Sequence, residues 1–306
     1  MSTEHLPPLL GRLTVAIASG KGGTGKTLVA TNLALAAARA GAPVALVDCD
    51  ADAPNDALFL APVEPRRADV TVPLPVIDAD ACVLCGACRD ACAYGAIRIL
   101  GGSVLVFPER CHGCGACVSV CSPRAITEEP RRVGEIEWGR LAAGRADPAG
   151  ADVITGRLDI GEVKTPSVIR AARERAEILH RAVTILDAPP GVACAAVAAI
   201  RDADVLVLVT EPTPFGLHDL ELAVTLGQEM GIPLGVVINR DGEGGADIAG
   251  FCEREGIPVL ARIPFERRIA EIYADGGLVI DEHPEGAAWF TALWAAVRER
   301  AEEAEW

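Results

Sequence analysis

The sequence predicts an α/β protein in three layers, a mostly parallel sheet with helices on both faces, carrying a small α+β insert. Three observations point there. Residues 13–50 read as strand, Gly-rich loop, helix and strand, which is one βαβ unit. From about residue 165 onward, unbroken Val/Ile/Leu runs alternate with helical apolar spacing, as parallel strands buried on both sides require. Between these stretches, cysteines crowd into residues 82–121 and break the pattern.

In chain order, "LTVAIASG" (13–20) is a strand-like apolar run, and "GKGGTGKT" (20–27) follows as a loop. "LVATNLALAAARAG" (28–41) has helical apolar spacing and stops at Gly41, a natural C-cap. "PVALVDCD" (43–50) is a second buried strand. Residues 133–162 are Gly-rich and read as irregular or hairpin-like. Next come helix 165–179, strand and loop 182–191, a short helix over "ACAAVAAIRDA" and strand 204–212. Helix 216–231, strand 233–240, a helix over "GADIAGFCEREG", strand 258–265 and helix 287–303 complete the pattern. In the last helix Trp289, Phe290, Leu293, Trp294 and Val297 form one apolar face, suited to packing on the sheet.

A chain of 306 residues is long enough for one large domain and a small one. Half of it is hydrophobic and about a quarter charged, an ordinary globular composition. The net charge of −15 repels phosphate backbones, so no nucleic-acid partner is expected. "MSTEHLPPLLGRLTVAIASG" lacks the layout of a leader, and no stretch of about 18 apolar residues is free of charge. The terminal "EEAE" would be repelled by anionic lipid, so the expectation is a cytoplasmic protein without stable membrane association. In that compartment eleven cysteines read as metal ligands rather than disulfides. Cys49, Cys194 and Cys252 stand apart from the crowded stretch and read as buried packing residues.

"GKGGTGKT" fits the phosphate-loop pattern G-x-x-x-x-G-K-[ST]. The nucleotide-binding candidates are Gly20, Lys21, Gly22, Gly23, Thr24, Gly25, Lys26, Thr27 and Leu28. Glycines let such a loop wrap until its N–H groups converge on phosphates at a helix N-terminus. Lys26 is placed to reach the β- and γ-phosphate oxygens, and the Thr27 hydroxyl to ligate Mg²⁺. Phosphoryl transfer also needs a held metal and an oriented water, which carboxylates after a strand can serve.

Lys21, directly after the first glycine, makes the loop resemble the deviant Walker A group, which includes MinD, ParA, Mrp-type proteins and the nitrogenase iron protein. The resemblance implies ATP/ADP with Mg²⁺ and a dimer, of identical chains or with a related ATPase. Lys21 would cross in it to the partner's nucleotide. For "VDCDADAPN" (47–55) it implies Asp48 near the Mg²⁺ shell and Asp50 orienting the attacking water, with Asp52 a further participant. For "DAPPG" (187–191) it implies Asp187 at the Mg²⁺ water shell and Gly191 freeing the loop to answer the γ-phosphate. Asn239 in "INR" is the adenine candidate, with Arg240 beside it and Pro264 of "IPF" closing over the base. The catalytic candidates are therefore Lys21, Lys26, Asp50 and Asp187. Cys194 stands at an offset similar to a cluster-ligating Cys of the nitrogenase iron protein, without an obvious second Cys upstream.

C-x-x-C-x-x-C-x-x-x-C occurs twice. Cys82, Cys85, Cys88 and Cys92 recur 29 residues later as Cys111, Cys114, Cys117 and Cys121. Gly86-Ala87 recurs as Gly115-Ala116, and Ala96-Ile97 as Ala125-Ile126. Structural zinc favours four ligands in paired C-x₂-C units, so two runs of four point instead to the bacterial ferredoxin arrangement for two [4Fe–4S] clusters. That arrangement implies Cys82, Cys85 and Cys88 with Cys121 on one cluster, and Cys111, Cys114 and Cys117 with Cys92 on the other. Ala93 and Ser122 stand where ferredoxins carry Pro.

The combination resembles the MinD-superfamily ATPases that contain an inserted ferredoxin domain. It implies an ATPase domain of residues 1–63 and 134–306 and an inserted two-cluster domain of residues 64–133. The implied function is ATP hydrolysis in which nucleotide state at a dimer interface controls electron transfer, or docking to a redox or Fe–S partner. An Fe–S scaffold or carrier, and a MinD-like positioning ATPase, are the alternatives. The first lacks a C-terminal C-x-x-C, and the second a membrane-binding tail or DNA-binding patch. Because the insert starts soon after "DAPN", movement of the nucleotide loop would have a short covalent route to the clusters.

Overall fold

The computed structural model describes residues 11–142 and 150–304. The first half of the N-terminal stretch read for a leader, the middle of the Gly-rich segment and the last two residues lie outside them. The strands are β1 (Leu13–Ala18), β2 (Val44–Asp48), β3 (Pro62–Ile77), β4 (Ile97–Leu100), β5 (Ser103–Val106), β6 (Ile126–Leu141), β7 (Ala151–Leu158), β8 (Val183–Asp187), β9 (Val205–Thr210), β10 (Leu234–Asp241) and β11 (Val259–Pro264). Nine of them form one sheet in the order β11-β10-β9-β1-β8-β2-β7-β6-β3. Neighbours from β11 to β7 run parallel, whereas β6 and β3 close the edge antiparallel.

The helices are α1 (Lys26–Arg39), α2 (Asp56–Phe59), α3 (Ala87–Asp90), α4 (Ala116–Ser119), α5 (Thr165–Leu179), α6 (Cys194–Ile200), α7 (Pro214–Glu229), α8 (Ile248–Glu255), α9 (Arg267–Ala274), α10 (Val279–Glu282) and α11 (Gly286–Ala304). Alternate residues of each strand point to opposite faces, and each face has its own helices. Val15, Leu46 and Ile185 pack with α1, α9, α10 and α11, while Ala16, Val47 and Leu186 pack with α5 to α8. The apolar stripe of the last helix behaves as read, with Phe290, Leu293, Trp294 and Val297 buried in the first of these cores. No helix among the described residues is long and apolar enough to cross a membrane.

One reading needs correction. Of the two readings of the Gly-rich segment the hairpin-like one holds and the irregular one does not, since residues 133–141 and 151–158 belong to β6 and β7, consecutive antiparallel neighbours within the main sheet. Nor did the pattern reveal β3, whose Pro62, Pro65, Pro73 and Pro75 argue against a strand. Such prolines are tolerated because β3 is the edge, where a missing N–H breaks no central ladder.

β3 and β6 pair from Pro62↔Leu141 to Ile77↔Ile126, a two-stranded ribbon that spans both expected domain boundaries, with shifts of register between Val63 and Arg66 and between Val70 and Thr71. Since Gly134 already pairs with Leu158 at the end of β7, residues 126–133 project past the C-terminal edge of the parallel strands. That is the edge where the Gly-rich loop leaves β1 and where open α/β sheets bind ligands. At the ribbon's tip α3, α4 and the β4–β5 hairpin gather around Ile97, Cys117 and Ile126.

Candidate functional site

The loop from Gly20 to Gly25 joins β1 to α1 and aims the N-terminus of α1 at its own centre. Gly25 has φ +96°, and a Cβ there would lie 2.2 Å from Asn239 Nδ2, so the position admits only glycine. Asn239 Nδ2 donates to the Thr24 carbonyl at 2.8 Å. The adenine candidate thus braces the loop from the end of β10. Gly191 N donates to Ser19 O at 2.9 Å, which seats the 187–191 segment against the start of the same loop. Lys26 is buried, and the Thr24 hydroxyl is buried without a hydrogen-bond partner.

Below the loop lies a knot of carboxylates. Thr27 Oγ1 is 2.7 Å from Asp187 Oδ2 and 3.1 Å from Asn55 Oδ1. Asp48 spends its oxygens on the loop after β2: Oδ2 accepts from the N–H groups of Asn55 (2.7 Å) and Asp56 (3.0 Å), and Oδ1 from that of Asp50 (3.1 Å). Asp56 was not singled out in the sequence, yet both of its carboxylate oxygens are buried, as is Asp187 Oδ1, and no other group donates to them: the two carboxyls face each other closely enough to share a proton. Burial, then the charge of Asp187, raises Asp48 to about 7; burial also raises Asp187 to about 6, against the pull of Lys26. Asp56 is pushed up by burial and by the charges of Asp48 and Asp187, and Asp50 by burial, with Lys26 opposing. Buried anionic oxygens without donors are costly unless a cation neutralises them. The donor set of hydroxyl and carboxylate oxygens suits Mg²⁺, which takes one or two protein carboxylates and fills its shell with water and phosphate.

Lys21 turns the other way. Its Nζ lies 2.5 Å from Glu211 Oε1, while Arg240 Nη1 lies 2.9 Å from Glu211 Oε2. Burial opposes ionisation of Glu211, but the hydrogen bond and charge of Lys21, then Arg240, hold it below the usual range. Beside this pair a cleft of about 810 Å³ is lined by Gly25, Leu28, Asn239, Pro264, Phe265 and Tyr273, among others. The structure therefore gathers the loop, Leu28, Asn239, Arg240 and Pro264 around one cleft, and Lys26, Asp50 and Asp187 within reach of one another's charge.

The eight repeat cysteines ring two cavities. Cys82, Cys85, Cys88 and Cys121 line one, and Cys92, Cys111, Cys114 and Cys117 line the other. Each cavity takes three cysteines from one run and the fourth from the other. Gly86 and Gly115 adopt φ +85° and +70°, which lets α3 and α4 start one residue after each Cys-x-x-Cys turn. Among the described residues no group of three or more His, Cys, Asp or Glu side chains is placed to hold a single metal ion. Tyr94 and His112 stack at 3.7 Å between ring centroids, on the wall of the second cavity. Of the remaining cysteines, Cys49 and Cys252 are buried as expected, but Cys194 is exposed. It opens α6 directly after the loop carrying Gly191, where only one side of the short helix packs inward.

The profile of the CobQ/CobB/MinD/ParA nucleotide binding domain matches residues 15–279. An uncharacterised protein of Methanocaldococcus jannaschii is 28% identical over 271 residues, 86% of this chain and 90% of that protein. A ferredoxin of Pyrobaculum islandicum is 44% identical over 55 residues, 17% of this chain and 50% of that protein. The cell division ATPase MinD of Pyrococcus furiosus shares the fold, with a TM-score of 0.57 at 22% identity, covering 95% of this chain and 99% of that one. The septum site-determining protein MinD complexed with Mg-ADP from Pyrococcus horikoshii has a TM-score of 0.54 at 23% identity, covering 96% and 98%. With its phosphate loop, buried carboxylates and whole-chain fold in agreement, the protein belongs to the CobQ/CobB/MinD/ParA family of nucleotide-binding ATPases.

Proposed function

We propose that this protein is an ATP-hydrolysing iron–sulfur protein in which nucleotide state controls electron transfer, or docking to a redox partner, by a two-cluster ferredoxin unit inserted between residues 64 and 133. The observation that carries the reading is the pair of cavities, each ringed by four cysteines in the crossed pairing of a two-cluster ferredoxin. They hang from the sheet edge that presents the phosphate loop. When bound there, [4Fe–4S] clusters supply one-electron transfer.

On the nucleotide side Lys26 and the N–H groups of residues 20–28 hold the phosphates, and the 810 Å³ cleft takes the adenosine. Phe265 is half-exposed on its wall and offers the base an aromatic face. Thr27 and Asp187 would hold Mg²⁺, which when bound would neutralise phosphate charge, and the buried carboxyl of Asp56 beside Asp187 would add counter-charge. Asp48 shapes the loop so that Asp50 faces Lys26 and can orient the attacking water. Lys21, held here by Glu211 of its own chain, is freed in an ATP-bound dimer to reach the partner's phosphates. The protein works in the cytoplasm, alongside a redox or Fe–S partner.

The test is anaerobic purification with iron and sulfide counts, ATPase assay, and capture of partners with and without Mg·ATP. About eight irons per chain together with ATP hydrolysis is the expected result. A preparation that hydrolyses ATP but holds zinc or no metal would overturn the reading.

A further inference from the structure

We propose that Lys164 and Thr165 form the joint between the nucleotide loop and the cluster of Cys92, Cys111, Cys114 and Cys117, and that the cluster of Cys82, Cys85, Cys88 and Cys121 lies outside this coupling. The proposal rests on the reading that the chain binds both clusters and ATP.

Chain connectivity alone would favour the other cluster. From the nucleotide loop the backbone runs along the whole of β3 and enters the insert at Cys82. That route is 16 residues of strand, roughly 50 Å when extended, and it is clamped to β6 along its length. The short route is through space. The loop of residues 49–56 is tied to the two ends of the β7–α5 connection: Leu158 N donates to Ala51 O at 2.9 Å, and Thr165 Oγ1 to Asp52 Oδ2 at 3.3 Å. Asp52 lies beside Asp50, whose charge in turn faces Lys26 of the phosphate loop.

The same segment grips the second cysteine loop. Lys164 Nζ donates to Glu109 O at 3.2 Å, two residues before Cys111, and Lys164 is only 4% exposed. Arg131 forks onto Glu162 and also donates to Pro108 O at 3.3 Å, so residues 108–111 are held from two sides. Lys164 is itself fixed at the start of α5, where its carbonyl accepts from Ser167 N at 2.9 Å. Among the described residues, the hydrogen bonds and ion pairs of residues 78–90 are all made within the insert. The two cysteine sites therefore differ in kind, one tied by side-chain hydrogen bonds to the segment that holds the nucleotide loop and one whose residues 78–90 bond only within the insert.

A consequence follows for redox behaviour. Cluster potentials respond to nearby charge and hydrogen bonding, and a buried ammonium acts more strongly than an exposed one. When the loop moves with nucleotide, Thr165 carries the motion and the Lys164 ammonium shifts against the Cys111 loop. Lys164 is a positioning residue in this scheme, because it acts on the cluster through the loop that holds it.

The experiment is an anaerobic redox titration of the full chain followed by EPR, with and without Mg²⁺ and a non-hydrolysable ATP analogue. Cys85→Ser and Cys114→Ser assign each potential to its cluster. In the wild type the nucleotide should shift the Cys114 cluster alone. Thr165→Val should abolish that shift while leaving the nucleotide-free potentials unchanged. Lys164→Gln should lower the potential of the Cys114 cluster, and Lys164→Arg should restore it. A shift of the Cys85 cluster, equal shifts of both, no shift at all, or a shift that survives Thr165→Val would each overturn the proposal. Iron counts on every preparation separate the failures: missing iron in the wild type sinks the functional reading, and full iron without a selective shift sinks only the joint.

Discussion

Replacing Asp187 by Asn should stabilise the nucleotide-free, metal-free protein while disabling it. Asp187 sits at the end of β8, fully buried, where its carboxyl is raised from 3.8 to about 6 by burial, with Lys26 opposing. Between those values the folded state keeps a proton that the unfolded state has lost, so stability falls as pH rises through the window. Above it the full cost of a buried carboxylate is present. At about 1.4 kcal/mol per unit, the shift amounts to about 3 kcal/mol. Asn carries no charge, and its carbonyl can still accept from the Thr27 hydroxyl as Asp187 Oδ2 does. Thermal unfolding of metal-free D187N should therefore exceed wild type by about 3 kcal/mol at pH 8, roughly 6 °C for a chain of this size. The gain should fade towards pH 4, where the wild-type group is itself neutral. Saturating Mg²⁺ with ATP should stabilise the wild type and leave D187N nearly unmoved. If D187N is no more stable than wild type at pH 8, or if its advantage does not shrink on acidification, the carboxylate knot is not a site waiting for a cation.

Three further outcomes are expected. Lys26→Ala should abolish nucleotide binding or hydrolysis in a filter-binding or phosphate-release assay while leaving about eight irons per chain; loss of iron would mean that the two halves are not independent. Glu211→Gln removes the carboxylate that holds Lys21 and Arg240. Since a part-exposed ion pair contributes up to about 1 kcal/mol, the ATP-bound dimer should form at about two- to fivefold lower protein concentration by light scattering. Cys194→Ser should leave the iron count and EPR spectrum of the chain unchanged, because Cys194 lies outside both cysteine cavities; a lost signal would assign it to a cluster.

Where a function depends on local spacing, the sequence exposes it. The phosphate loop, both cysteine runs and helix Thr165–Leu179 are carried by residues close in the chain, whereas the crossed pairing of the cysteines came only with the ferredoxin resemblance. Features made by tertiary meetings are hidden. Asp56 looks like an ordinary helix-start acid until the fold buries it beside Asp187. Glu211 meets Lys21 across 190 residues, and Lys164 meets Glu109 across 55, so no local pattern announces either. Asn239 was found for one reason and turns out to have another, because only the fold brings its amide to the Thr24 carbonyl. The exposure of Cys194 is likewise set by how α6 sits on the sheet rather than by its apolar neighbours.

Nucleotide state, in the proposed function, is felt by the clusters. The most direct test is stopped-flow reoxidation of the reduced, fully loaded chain by a small one-electron acceptor, with Mg·ATP, with Mg·ADP and without nucleotide. The rate should depend on nucleotide in the wild type and be indifferent to it in Lys26→Ala. Identical rates under all three conditions, in wild-type protein holding both clusters and hydrolysing ATP, would contradict the proposed function.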